Sequence, residues 1–150
     1  MRLLRPDEVV AFLQNPWFRP GTFDETVRMY RENVEFRRRL LARSMSGGRL
    51  LRAFGEDWFG KIWWDNANPL HGNDHSARWL ADTYHMSDVV TTRCPLVVLT
   101  FGRIAANGAA KIRLSRVIRV LSCAHPNAMG ITQDDLDVFA NRVMSITVDQ

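Results

Sequence analysis

Apolar residues gather in short continuous runs along this chain, and several of these runs end abruptly in an amide, an imidazole or a proline. The runs cover residues 9–14, 61–65, 96–100 and 118–122, and three of them lead into Asn15-Pro16, Asn66 and His125-Pro126. Continuous apolar runs of this length are typical of strands that are buried on both faces of a parallel sheet. The pattern therefore predicts four strands whose carboxyl ends deliver polar groups to loops.

Between these strands, apolar residues return at the spacing of a helix. The spacing predicts helices over residues 24–43, 49–54, 75–90, 103–111 and 132–148. Thr22 or Asp24 is predicted to cap the first helix, Ser46-Gly47-Gly48 to end it, and Asp74 to cap the third. Crossovers of this length allow right-handed βαβ units. The predicted fold is α/β: a doubly wound, four-stranded, mainly parallel sheet flanked by helices on both faces.

Length and composition fit one compact domain, residues 1–150. The 150 residues are 46% hydrophobic and 24% charged, and a chain of this length buries roughly two thirds of the surface that its unfolded form exposes. No apolar run approaches the roughly 20 residues that a membrane span requires, and the first six residues lack the apolar centre of a signal peptide. We therefore expect a cytoplasmic protein.

The charge balance is basic and rests on arginine. Twenty basic residues face 16 acidic ones, for a net charge of +4, and only Lys61 and Lys111 among them are lysines. This balance suits a polyanionic partner, although net charge alone identifies none. The run Arg37-Arg38-Arg39 is predicted to form a solvated helix face.

The cysteine and histidine positions argue against a metal centre. Cys94 and Cys123 are too few for a four-cysteine site or an iron-sulfur cluster, and we expect both to be buried thiols. His71 and His75 lack a clear third ligand, so they are a poor zinc signal. No metal, cofactor or iron-sulfur cluster is expected.

Three segments at strand ends carry the residues of chemical interest. They are Gln14-Asn15-Pro16-Trp17-Phe18, Trp63-Trp64-Asp65-Asn66-Ala67 and His125-Pro126-Asn127-Ala128-Met129. In this order they resemble the three motifs of the uracil-DNA glycosylase superfamily, and the stretch 96–106 resembles the strand and helix between the second and third motifs. The resemblance covers essentially the whole chain and implies one cluster-free domain of that superfamily.

The resemblance implies a DNA glycosylase that hydrolyses the N-glycosidic bond of uracil, or of another deaminated or modified base flipped out of DNA. Asn15 would orient the attacking water, and His125 would donate a hydrogen bond to the base carbonyl. Asn66 would read the Watson-Crick edge, because one amide offers both a donor and an acceptor. Met129 would fill the space that the base leaves. The other substrate-binding candidates are Gln14, Pro16, Trp17, Phe18 and Asn127. The implied partner is single- or double-stranded DNA, bound by a monomer.

The same residues also have plainer interpretations. Asn15, Pro16 and Asn66 are ordinary turn residues at strand ends, and Met129 is equally compatible with filling a gap in the core. Asn127 stands where the superfamily motif has serine. Two other function classes stay open: a non-catalytic nucleic-acid-binding or interaction module of the same fold, and a small-molecule enzyme on a similar sheet.

Overall fold

Four strands form one parallel sheet in the structure, a computed structural model that describes residues 1–15, 21–69 and 80–149. The strands are β2 (Val9–Leu13), β3 (Trp63–Asn66), β4 (Val97–Phe101) and β5 (Arg119–Cys123), in the order β3-β2-β4-β5. The predicted four-stranded parallel sheet is confirmed. Two short strands, β1 (Arg2–Leu3) and β6 (Thr147–Val148), pair antiparallel and tie the two ends of the described chain together.

Within the described residues, six α-helices flank this sheet. They are α1 (Asp24–Glu32), α2 (Val34–Arg43), α3 (Met45–Lys61), α4 (Thr83–Arg93), α5 (Arg103–Lys111) and α6 (Gln133–Met144). In β2 and β4, side chains alternate between two apolar clusters, as expected of strands buried on both faces, whereas β5, at one edge of the sheet, buries only Leu121. Ala11 and Leu99 pack with residues of α3 and α6, whereas Phe12 and Val98 pack with α4 and α5. In the described ranges, every helix lacks the length or the apolar character needed to cross a membrane.

Two helix boundaries differ from the predictions because of caps. The predicted helix 24–43 is two helices, since Asn33 leaves helical geometry and its Oδ1 accepts a hydrogen bond from Phe36 N at 3.0 Å. Ser44 caps α3 in the same way, with its Oγ accepting from Gly47 N at 3.0 Å. Ser46-Gly47-Gly48 was predicted to end the first helix, but in the structure this segment forms the first turn of α3.

The helix before β4 also begins elsewhere than predicted. It starts after Asp82, whose side chain accepts a hydrogen bond from His85 N at 3.1 Å. The predicted cap, Asp74, lies outside the described residues. The predicted helix over residues 75–90 would turn Leu80 and Tyr84 inward, but they are 72% and 89% exposed.

Three burial predictions need correction. Cys94 is exposed at the C-terminal end of α4, and Cys123 is only half-buried. Arg37, predicted to lie on a solvated face, is 8% exposed. The periodic position of Arg37 on α2 turns it toward β3, so the arginine run is not one uniform surface.

Candidate functional site

The last residues of the four parallel strands lie at one level across the sheet. Leu13 pairs with Asn66, and Phe101 pairs with Cys123. Extending the pairing of β2 with β4 by one residue places Leu13 opposite Phe101. Asn15 and His125 each follow that level by two residues. Only β4 separates their strands, which corresponds to roughly 10 Å at ordinary strand spacing. The sheet therefore brings the chain at Asn15 and at His125 to the same edge.

Gly102 occupies the end of the strand between them. Its φ of 95° and ψ of 164° belong to a region that is essentially restricted to glycine. A Cβ at this position would lie 3.3 Å from His125 Cβ, which is tighter than ordinary contact. His125 therefore packs directly against the Gly102 backbone. We call Asn15, Gly102 and His125 the strand-end site.

The imidazole of His125 has a defined tautomer. The backbone N–H of Asn127 donates a hydrogen bond to His125 Nδ1 at 3.1 Å. Because a backbone N–H can only donate, Nδ1 is the acceptor, and the neutral ring carries its proton on Nε2. The contribution of Asn127 to this arrangement comes from its backbone, and its side chain is exposed.

The loop between β5 and α6 is held from α3 by Arg49. Its guanidinium donates to the carbonyl of Pro126 through Nη1, and to the carbonyl of Ile131 through Nη2 at 3.0 Å. Gln133 in turn donates through Nε2 to the Arg49 carbonyl at 3.0 Å. Pro126 is buried, whereas Met129 is fully exposed. The interpretation of Met129 as a core residue is therefore wrong, and the loop combines a fixed base with an exposed tip.

Asn66 faces different surroundings, a cleft of about 300 Å³ along the outer edge of β3. We call it the edge cleft; α1, α2, β3 and α4 contribute to it, and its lining includes Tyr30, Arg37, Trp63, Asp65, Asn66 and His85. Asn66 is 5% exposed, and its Nδ2 donates to the Tyr30 hydroxyl at 3.0 Å. Neither Asn15 nor His125 is among the described residues that line this cleft. The structure thus brings Asn15 and His125 to the same edge of the sheet, whereas the Asn66 side chain lies in a different cleft, at β3.

Asp65 is the polar centre of the edge cleft. Its Oδ1 accepts hydrogen bonds from His85 Nε2 and from Asn66 N, both at 2.8 Å, and its Oδ2 accepts from Trp63 Nε1 at 3.1 Å. Burial acts to raise the pKa of Asp65, but His85 and Arg37 together bring that pKa below its ordinary value. The hydrogen bond to Asp65 raises the pKa of His85 against the opposing effect of burial. Asp65 therefore favours the charged form of the imidazole.

Arg37 closes the outer edge of β3 against solvent. Its Nε donates to the Trp64 carbonyl at 3.2 Å, and its Nη1 donates to the carbonyls of Tyr30 and Arg31 at 3.1 and 3.2 Å. The guanidinium carbon also lies 5.5 Å from the centre of the Trp63 ring. Three carbonyls from two different elements thus fix the orientation of this cation.

Sequence reasoning missed three ionisable residues of the edge cleft, Asp65, His85 and Arg37. Asp65 gave a signal, because a carboxylate inside a buried apolar run requires partners. His85 gave none, since it is a single polar residue on a helix. Arg37 was hidden in a run of arginines that reads as a surface feature.

The remaining candidates divide by whether the structure describes them. Gln14 is half-buried, and its carbonyl accepts a hydrogen bond from Asn68 N at 2.9 Å, which extends the pairing of β2 with β3. Pro16, Trp17 and Phe18 lie outside the described residues, as do His71 and His75. In the part of the chain that is described, no three His, Cys, Asp or Glu side chains are grouped to hold a metal ion.

Comparison with known proteins yields no family. No protein-family model matches the chain, and neither a curated protein nor a solved structure shows significant similarity to it. Function is therefore inferred from the residues and their geometry.

Proposed function

We propose that the protein is a DNA glycosylase that hydrolyses the N-glycosidic bond of uracil, or of another deaminated or modified base extruded from DNA. The proposal rests above all on the position of Asn15 and His125, each two residues after its strand at the carboxyl edge of the sheet, with Gly102 at the end of the strand between theirs. Ligands of open α/β sheets bind at this edge. Two polar side chains at this edge suit a reaction in which one group positions a water and the other donates a hydrogen bond to the leaving base.

Base removal develops positive charge on the deoxyribose and negative charge on the departing base. The site must therefore position a water near the sugar and hydrogen-bond donors near the base. The Asn15 amide orients the water by hydrogen bonds, although an amide is not a strong general base. His125, with its proton on Nε2, donates to the base carbonyl without first having to gain a charge. The N-terminus of α5 begins at the same edge, and its partial positive charge also favours a negative leaving group.

Asn66 contributes recognition from the neighbouring strand. The Tyr30 hydroxyl accepts one hydrogen bond from the Asn66 amide and so fixes the orientation of that amide. The amide oxygen and the second N–H then serve as the acceptor and donor for one edge of a base. Two strands, β2 and β4, lie between the strand of Asn66 and the strand that leads to His125, and β2 leads to Asn15.

Two exposed residues near the site suit contact with DNA. Met129 stands at the tip of the loop whose base Arg49 holds, where an apolar side chain can fill the space that an extruded base leaves. Arg103 is the exposed first residue of α5, directly after Gly102. A cation at this position suits a backbone phosphate.

Release of free base from labelled oligonucleotides tests the proposal, with uracil, hypoxanthine, xanthine and modified pyrimidines as substrates in single and double strands. We expect His125→Ala and Asn15→Ala each to lower the rate of release by about 100-fold or more. Asn107→Ala, an exposed position on α5, is the matched control and should retain full activity. Tight DNA binding by the wild-type protein without release of any base would contradict hydrolysis and favour a binding module.

A further inference from the structure

We propose that the edge cleft is an anion-binding site in which Arg37 and His85 bind a phosphate group. This site is separate from the strand-end site, and the proposal does not require base excision. It rests on the placement of two nitrogen donors in one cleft, Arg37 from α2 and His85 from α4.

The first observation is a buried cation without a compensating carboxylate contact. Arg37 is 8% exposed, and within the described residues its hydrogen bonds go only to the carbonyls of Tyr30, Arg31 and Trp64. The uncharged carbonyls fix the guanidinium but do not neutralise it, and Asp65, whose pKa the charge of Arg37 lowers, is hydrogen-bonded to His85 and not to Arg37. These contacts use Nε and Nη1, so that Nη2 keeps its donors for a ligand in the cleft.

The second observation is the orientation of His85. Its Nε2 is bonded to Asp65 Oδ1 at 2.8 Å, which leaves Nδ1 as the ring nitrogen for a ligand. Asp65 accepts three hydrogen bonds, from His85, Asn66 and Trp63, and the charge of a protonated His85 balances its own. When His85 is protonated, its Nδ1–H becomes a second charged donor.

The charged groups around His85 determine whether the cleft favours an anion. They are Asp65 on β3, Asp82 on α4, Arg37 on α2, and Arg31 and Glu32 at the rim on α1. Arg28 binds Glu32 at 3.4 Å, and Asp82 caps α4, so both carboxylates already have partners. Protonation of His85 balances the charge of Asp65, to which it is hydrogen-bonded, and leaves the charge of Arg37 for an anion. Anion binding should accordingly be tighter at a pH where His85 is charged.

The geometry favours a phosphate over a carboxylate. Arg37 and His85 reach the cleft from different helices, so we expect a ligand that binds both to accept hydrogen bonds from two directions. A tetrahedral phosphate does this, whereas a planar carboxylate presents both oxygens on one side. The phosphate of a free nucleotide and that of a nucleic acid share this chemistry.

Titration of the full chain with inorganic phosphate near pH 6 tests the proposal, with calorimetry for affinity and ¹⁵N-histidine NMR for the Nδ1 signal of His85. We expect saturable binding that shifts this signal. His85→Gln keeps a donor for Asp65 but removes Nδ1, and Arg37→Lys keeps the charge but removes Nη2. Each should weaken binding by at least about tenfold, the effect of losing one charge-assisted hydrogen bond. Arg52→Gln, an exposed position on α3, should bind like the wild type.

Two further arms identify the source of the phosphate. A deoxynucleoside monophosphate that competes with inorganic phosphate indicates a free nucleotide, and an oligonucleotide that competes indicates a nucleic-acid backbone; both support the site. Absence of saturable phosphate binding by the wild type would overturn it, as would equal weakening by Arg52→Gln. Base release is measured separately on the same variants, so failure of one proposal does not decide the other.

Discussion

The two sides of the sheet's carboxyl edge each hold an imidazole, but they hold it with different partners. On the β5 side, the backbone N–H of Asn127 donates to His125 Nδ1. On the β3 side, the carboxylate of Asp65 accepts from His85 Nε2. A donor partner defines a neutral ring with one known N–H, whereas an anionic acceptor favours the charged ring. The first arrangement suits a fixed hydrogen-bond donor, and the second suits a cation that depends on pH.

The supports behind the two rings differ as well. His125 lies against a glycine backbone and in a loop whose carbonyls Arg49 holds. His85 is held by side chains from β3, α2 and α4 that meet only in the folded protein. A change in backbone geometry should therefore disturb the β5 side most, and a change in charge should disturb the β3 side most.

The largest expected effect comes from Gly102→Ala, which tests the backbone support. The methyl group would require a glycine-only conformation and would press on His125 Cβ. We expect the free energy of unfolding to fall by about 1–3 kcal/mol. Base release should fall by about 100-fold, as a displacement near 1 Å at a reacting group can cause. Chemical denaturation and the oligonucleotide assay measure the two effects.

Gly60→Ala is the matched control for this change. Gly60 lies within α3, and a Cβ there would meet no atom within 4 Å. Alanine should therefore add up to about 1 kcal/mol of stability and leave base release unchanged. If Gly102→Ala released base at the wild-type rate, the contact between Gly102 and His125 would not matter for the reaction.

The same contrast separates what the sequence predicts from what it hides. Each strand of the sheet is a local apolar run, and Asn15 and His125 follow their strands directly, so their shared edge is predictable from local pattern and parallel topology. The edge cleft is different, because Arg37 and His85 come from helices whose packing against β3 is a tertiary event. Asn33, read as part of one helix, is the cap that divides it, because a side-chain cap competes with helical spacing.

Arg49→Leu should have the second-largest effect on base release, because it removes the side-chain support of the β5 loop. The change removes the donors to the carbonyls of Pro126 and Ile131. Loss of hydrogen bonds from a charged group should cost about 1.5–3 kcal/mol of stability. Base release should fall less than in Gly102→Ala, because the contact of His125 with Gly102 remains.

Two companion variants separate positioning from charge at this site. Arg49→Lys keeps the charge and one donor, and it should recover part of both losses. Arg52→Leu removes an exposed arginine from the same helix and should change neither. Equal losses in Arg49→Leu and Arg52→Leu would show that the helix charge matters and that the loop contacts do not.

The smallest effect is the pH dependence of stability that the β3 side contributes. The pKa of His85 is raised above its ordinary 6.5, so its contribution is complete below pH 6.5 and is lost as the pH rises through the raised pKa. The pKa of Asp65 is lowered below its ordinary 3.8, so its contribution is present above pH 3.8 and is lost as the pH falls through the lowered pKa. The pair should therefore stabilise the fold most between these two ordinary values. Denaturation of the wild type, His85→Gln, Asp65→Asn and the double variant across pH measures the coupling of the pair directly. A coupling that stayed constant from acid to alkaline pH would show that His85 does not carry a charge beside Asp65, and the two imidazoles would then no longer differ in kind.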